Sequence, residues 1–83
     1  MNSIRILGFG WCEDTERTRH QLDSLGLAYD YVDLDTDKAA EAWATAQNHG
    51  KRKTPTVDIA GTILIEPSNA DLEKVLREKQ LIG

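Results

Sequence analysis

A single cysteine, Cys12, is the tightest constraint on this 83-residue chain. A domain of that size hides only about 60% of the surface its unfolded chain exposes, and many such chains are stapled by disulfides or structural zinc. One cysteine permits neither an internal disulfide nor a Cys-rich four-ligand zinc site. His20 and His49 are the only histidines, so a metal site would need carboxylates at spacings that match no common pattern. The fold must therefore rest on its apolar core. Cys12 is then either an inert buried thiol or a nucleophile.

Charge narrows the partners. Fourteen Asp and Glu against ten Lys and Arg give a formal net charge of −4, which argues against a general binder of nucleic acid or of anionic membranes. No apolar run approaches the roughly 20 residues that span a bilayer. Met1-Asn2-Ser3-Ile4-Arg5 lacks the basic start and long apolar stretch of a signal peptide. With its thiol unpaired, the chain is expected in the reducing cytoplasm.

The hydrophobic pattern predicts alternating elements. Ser3–Phe9 reads as a strand closed by Gly8 and Gly10. Glu13-Asp14-Thr15-Glu16 supplies acids and a capping side chain for a helix running to about Leu25, with Gly26 as its stop and Thr15, Thr18, Leu22 and Leu25 as its buried stripe. Ala28–Leu34 reads as a second strand, in which Asp30 suggests an edge position. Asp37 opens a second helix that ends near His49-Gly50, with Ala39, Trp43 and Ala46 on its inner side and Trp43 filling core. Thr56–Ile59, the turn Ala60-Gly61 and Thr62–Ile65 form a hairpin whose apolar face is read as Val57, Ile59, Ile63 and Ile65. Ser68-Asn69-Ala70-Asp71 is a capping box before Leu72, Val75 and Leu76. The order βαβα-ββα predicts an α/β domain spanning residues 1–83, with a four-stranded mixed sheet flanked by three helices.

Cys12 falls at the first strand-to-helix junction. Unpaired amides there carry partial positive charge and stabilise a thiolate, which favours a nucleophile over the commoner inert thiol. Glu13 and Asp14 oppose this, because two anions beside the sulfur disfavour a third. Trp11 reads as a partly exposed wall beside the thiol. His20 lies two turns along the helix, too far to serve as a base.

Three segments together resemble a glutaredoxin-type thioredoxin fold, nearest to small bacterial glutaredoxin-like proteins and mycoredoxins. They are Trp11-Cys12-Glu13-Asp14-Thr15, Lys53-Thr54-Pro55-Thr56-Val57 and Glu66-Pro67-Ser68-Asn69-Ala70-Asp71-Leu72. The resemblance covers nearly the whole chain. It implies thiol–disulfide oxidoreduction through Cys12, with glutathione or a mycothiol-type low-molecular-weight thiol as co-substrate and protein mixed disulfides as partners. No tightly bound cofactor is implied, and the chain is expected to be monomeric.

The resemblance also assigns residues. Thr15 stands where the family commonly has a second cysteine, which implies a monothiol site. Pro55 would be the family's cis-proline facing Cys12, and Thr54 would offer its backbone to substrate. Lys51 and Lys53 would lie beside Cys12 and attract a carboxylate of the small thiol, although a basic run is by default a solvated loop. Ser68 and Asn69 would hold the γ-glutamyl end. The chain departs from the family at Glu13-Asp14, usually a neutral pair, and at Glu66-Pro67, usually Gly-Gly. The Cys-Gly-Phe-Ser sequence of cluster-carrying members is absent. Two other functions stay open: a non-catalytic binding module using the same groove, and a dimeric iron–sulfur carrier with one cysteine per chain.

Overall fold

Strand β1 (Ile4–Gly8) is central because both of its faces are apolar: Ile4 and Ile6 enter one buried cluster, Leu7 and the following Phe9 the other. The structure, a computed structural model, describes residues 2–83; Met1, the first residue of the segment read for a signal peptide, lies outside them. β1 pairs in parallel with β2 (Asp30–Asp33) and antiparallel with β3 (Thr56–Ile59), which pairs antiparallel with β4 (Thr62–Ile65). The sheet order is β2-β1-β3-β4. With α1 (Glu13–Ser24), α2 (Lys38–Gln47) and α3 (Asn69–Glu78), this is the expected βαβα-ββα mixed sheet with three helices.

The helices take opposite faces. α1 and α3 bring Leu22, Leu72, Val75 and Leu76 against Ile4, Ile6, Val57 and Ile59. α2 lays Ala44 on Leu7, Phe9 and Leu34, with Cys12 half-buried at the rim of that cluster. Each fully buried Leu, Ile or Phe side chain contributes about 1.5–3 kcal/mol, so these two clusters do the work that staples do elsewhere. α1 stops where Gly26, at φ 70°, takes the left-handed turn and Leu27 N–H reaches back to Leu22 O at 3.0 Å. At α3, Ser68 Oγ accepts from Asp71 N–H at 3.1 Å, as the capping box requires. Among the described residues, no helix is long and apolar enough to cross a membrane.

Three local expectations are corrected. Trp43 is not core: it is 36% exposed and carries the Arg5 guanidinium 5.1 Å from its ring centre. Ala39 and Ala46 are exposed with it, and the inner face is Ala40 and Ala44. An alanine-rich helix has little apolar contrast, so its orientation is set by the space over Leu7 and Leu34. In the hairpin, the two-residue turn sets Leu64 opposite Val57 and Ile63 opposite Asp58, so Leu64, not Ile63 or Ile65, shares the face of Val57 and Ile59. Leu25 lies past the end of α1 and is 38% exposed.

Candidate functional site

Cys12 is itself the N-cap of α1. Its backbone is extended, at φ −84° and ψ 120°, and its side chain makes no capping bond. The Cys12 N–H donates to Phe9 O at 3.0 Å and its carbonyl accepts from Glu16 N–H at 3.1 Å, so the backbone is fixed at both ends. The expectation of a capping side chain within Glu13–Glu16 gives way to this: the thiol stands where a hydroxyl or carboxylate normally satisfies the first amides.

The sulfur has a second contact across the fold. Thr54 Oγ1–H donates to Cys12 Sγ at 3.3 Å, and the thiol lies 3.9 Å from Thr54 O. Burial pushes the Cys12 pKa up, but the Thr15 and Thr54 side chains and the backbone N–H groups of Thr15 and Asp14 outweigh it and hold the thiol below its ordinary 9.0. Thr15 is fully buried, and its hydroxyl has no partner within full hydrogen-bond geometry, so a charged sulfur is the acceptor it lacks. Gly8 makes room for it: a Cβ there would lie 2.5 Å from Thr15 Oγ1.

The acidic turn is arranged to spare the sulfur. The Asp14 carboxylate is taken by Arg17 at 2.9 Å, while its backbone N–H is among the groups that lower the Cys12 pKa. Glu16 is taken by Arg19 at 3.2 Å. Arg17 also donates to Pro67 O at 3.2 Å, and Gln21 Nε2 donates to Asn69 O at 2.9 Å, tying the outer face of α1 to the start of α3.

Cys12 and Thr54 thus meet directly, and the Thr54–Pro55 peptide is cis with Pro55 buried. Trp11 is 68% exposed and stacks on Phe9 at 4.9 Å, forming one end of an open groove of about 520 Å³ that runs from Cys12 along α1 past Glu13, Glu16 and His20. Ser68 and Asn69 do not line this groove; the turn that carries them is held to α1 by Arg17 on Pro67 O and Gln21 on Asn69 O, and Ser68 Oγ is engaged in capping. Lys51 and Lys53 are exposed and, among the described residues, in no ion pair. The middle residue of the run behaves differently. Arg52 lies 4.4 Å over the Phe9 ring and 3.8 Å from Glu41.

Sequence reasoning missed Arg17 and Gln21, and read Arg52 only as one member of the basic run Lys51-Arg52-Lys53. Those two carry a readable signal: Asp14, Arg17 and Gln21 share one helix face at three- and four-residue spacing. Nothing in the sequence marks Arg52 out from its basic neighbours.

Residues 4–64 match the glutaredoxin family model. The chain belongs to the glutaredoxin family. It is 33% identical over 73 residues to mycoredoxin 1 of Corynebacterium glutamicum, covering 87% of this chain and 90% of that protein. The glutaredoxin of Archaeoglobus fulgidus superposes with a TM-score of 0.81 at 17% identity, covering 93% of this chain and 88% of that one. A buckwheat glutaredoxin–glutathione complex superposes at 0.70 and 24% identity, covering 96% and 73%. These two likenesses show the shared fold. As a glutaredoxin-family redox protein of the thiol–disulfide oxidoreductase type, the chain has the single cysteine of a monothiol member.

Proposed function

We propose that this glutaredoxin-family protein reduces mixed disulfides between proteins and a low-molecular-weight thiol, by a monothiol route through Cys12. The thiolate attacks the small-thiol sulfur of the mixed disulfide. A bond forms between those two sulfurs, the original S–S bond breaks, and its electron pair leaves on the protein thiolate, which takes a proton from solvent. A second small thiolate then attacks the Cys12-linked sulfur, releasing a small-thiol disulfide and regenerating Cys12. Thr15 has no thiol to offer, so an external thiol is required for turnover.

The observation that supports this reading is the polar cradle of the one cysteine: first-turn amides of α1, the Thr54 hydroxyl at 3.3 Å and the otherwise unpartnered Thr15 hydroxyl. All three favour the charged nucleophile. In this reading Thr54 and the cis Pro55 line the docking side, Trp11 walls the groove, Lys51 and Lys53 draw in a carboxylate, and Ser68 and Asn69 receive the α-amino-acid end of the small thiol. Glutathione and mycothiol are the two candidates, the second suggested by the mycoredoxin relative; only glutathione carries the carboxylate and the α-amino-acid end that these side chains would hold. The chain acts as one monomeric cytoplasmic domain, without nucleic acid or membrane.

Intact-mass analysis after exposure to each oxidised thiol tests the proposal. One adduct per chain, absent in Cys12→Ser and removed by the matching reduced thiol, is the expected result. No adduct with any small disulfide would sink the catalytic reading.

A further inference from the structure

The two outer edges of the sheet are built differently. β2 carries Asp30 and Asp33, and the Asp30 carboxylate accepts from Asn2 N–H and Nδ2–H at 3.0 and 3.1 Å. Charge on an edge strand discourages a further strand from pairing. β4 is Thr62-Ile63-Leu64-Ile65, with no charge and no proline, and each of its residues is partly exposed. Glu66 N–H donates to Pro55 O at 2.8 Å, so the alternation of an antiparallel ladder turns the N–H and C=O groups of Ile65 and Ile63 outward. Among the described residues, no strand pairs with that edge.

Beside it runs a groove of about 280 Å³ between β4 and α3. Leu64, Pro67 and Val75 give it apolar walls. Its rim holds Glu66, Asp71 and Glu78 against one cation, Lys74, and none of the three carboxylates is in an ion pair among the described residues.

We propose that β4 is a docking edge for an extended, basic segment of a partner protein, which adds as a fifth strand and lays alternate side chains in the β4–α3 groove. The unpaired N–H and C=O groups supply main-chain hydrogen bonds, and the groove supplies selectivity, the division of labour in strand addition. A lysine on the groove side lays its stem over Leu64 and Val75 and its ammonium among the three carboxylates. A second copy of this chain fits poorly, because edge-to-edge pairing would set two rims of the same sign against each other.

The test is fluorescence anisotropy of the wild-type chain with a labelled peptide, Lys-Thr-Val-Thr-Lys-Thr-Val, in which Lys and Val share one strand face. Saturable binding is expected, at least ~10-fold weaker when Glu replaces Lys. N-methylation of the peptide backbone should weaken it at least ~10-fold as well, since that removes strand pairing and leaves the protein untouched. Ile63→Pro deletes an outward N–H that β3 does not use, and should have the same effect on a folded chain. Equal binding of the Lys and Glu peptides, indifference to N-methylation, or no saturation by ~1 mM peptide would each overturn the proposal. So would a dimer in sedimentation velocity that Ile63→Pro abolishes, which would give the edge to a second copy.

Discussion

Replacing Thr54 by Val removes one hydroxyl and keeps the shape of the side chain. That hydroxyl donates to Cys12 Sγ at 3.3 Å and helps hold the thiol below its ordinary pKa. A hydrogen bond to a charged group contributes roughly 1.5–3 kcal/mol, and a half-buried sulfur acceptor belongs at the low end. A loss of about 1.4 kcal/mol raises the Cys12 pKa by about one unit. The rate of alkylation by iodoacetamide then changes in two opposed ways. Below both pKa values the thiolate fraction falls about 10-fold, while the more basic thiolate is intrinsically about 3-fold more reactive at a Brønsted slope near 0.4–0.5. Thr54→Val should therefore react about 3-fold more slowly at low pH and about 3-fold faster above both pKa values, so the two profiles cross. Rates from pH 4 to 10, read as intact mass against time, give both limbs. An unmoved midpoint, or parallel profiles that never cross, would show that Thr54 does not act on the charge of the sulfur.

Four further outcomes follow from the geometry. Thr15→Cys places a second thiol one helical turn from Cys12, so oxidation should give an internal disulfide, read as a loss of two hydrogens with no adduct. Gly8→Ala puts a Cβ 2.5 and 2.6 Å from two Thr15 atoms and should cost ~1–3 kcal/mol in urea unfolding, most of it recovered when Thr15→Ala is added. Because folding lowers the Cys12 pKa, the stability this contributes is present above the unfolded pKa and lost as pH falls through the folded one; the stability advantage of wild type over Cys12→Ser should therefore grow with pH across that window. Replacing Lys51 and Lys53 by Gln should raise KM for the small thiol and flatten its salt dependence, with folding changed by only ~0–1 kcal/mol.

The fold was legible wherever the sequence carried two signals at once. β1 has apolar residues at both parities, α3 has a capping box beside an apolar stripe, and the hairpin has alternation on both sides of Ala60-Gly61; all three appear where expected. α2 failed as to its face because five alanines surround Trp43, and the largest apolar side chain is a poor guide when neighbouring space is filled by Phe9 and Leu34. β4 failed by one position in register. Val57 and Ile59 alternate in step with Ile63 and Ile65 along the chain, but a two-residue turn pairs odd positions with even ones, so the face belongs to Leu64.

The candidate site was legible in its backbone and not in its charges. A thiol at a strand–helix junction is a sequence-level feature, and Thr54 meets it at 3.3 Å. The acidic turn reads from sequence as a conflict: carboxylates suit a helix N-terminus for the same reason a thiolate does, and both draw on the same few amides. The structure separates the two claims. Asp14 and Glu16 each find an arginine three residues along, so two of the three first-turn carboxylates balance their charge on the outer face of α1. The amides of Asp14 and Thr15 help to lower the Cys12 pKa. Glu13, in no ion pair among the described residues, faces open groove where water and salt screen its charge. Arg17, by holding Asp14 at 2.9 Å and Pro67 O at 3.2 Å, binds this settlement to the turn that carries Ser68 and Asn69. The groups that take up two of the acidic turn's charges are therefore the arginines one turn along, where a motif centred on the cysteine does not look.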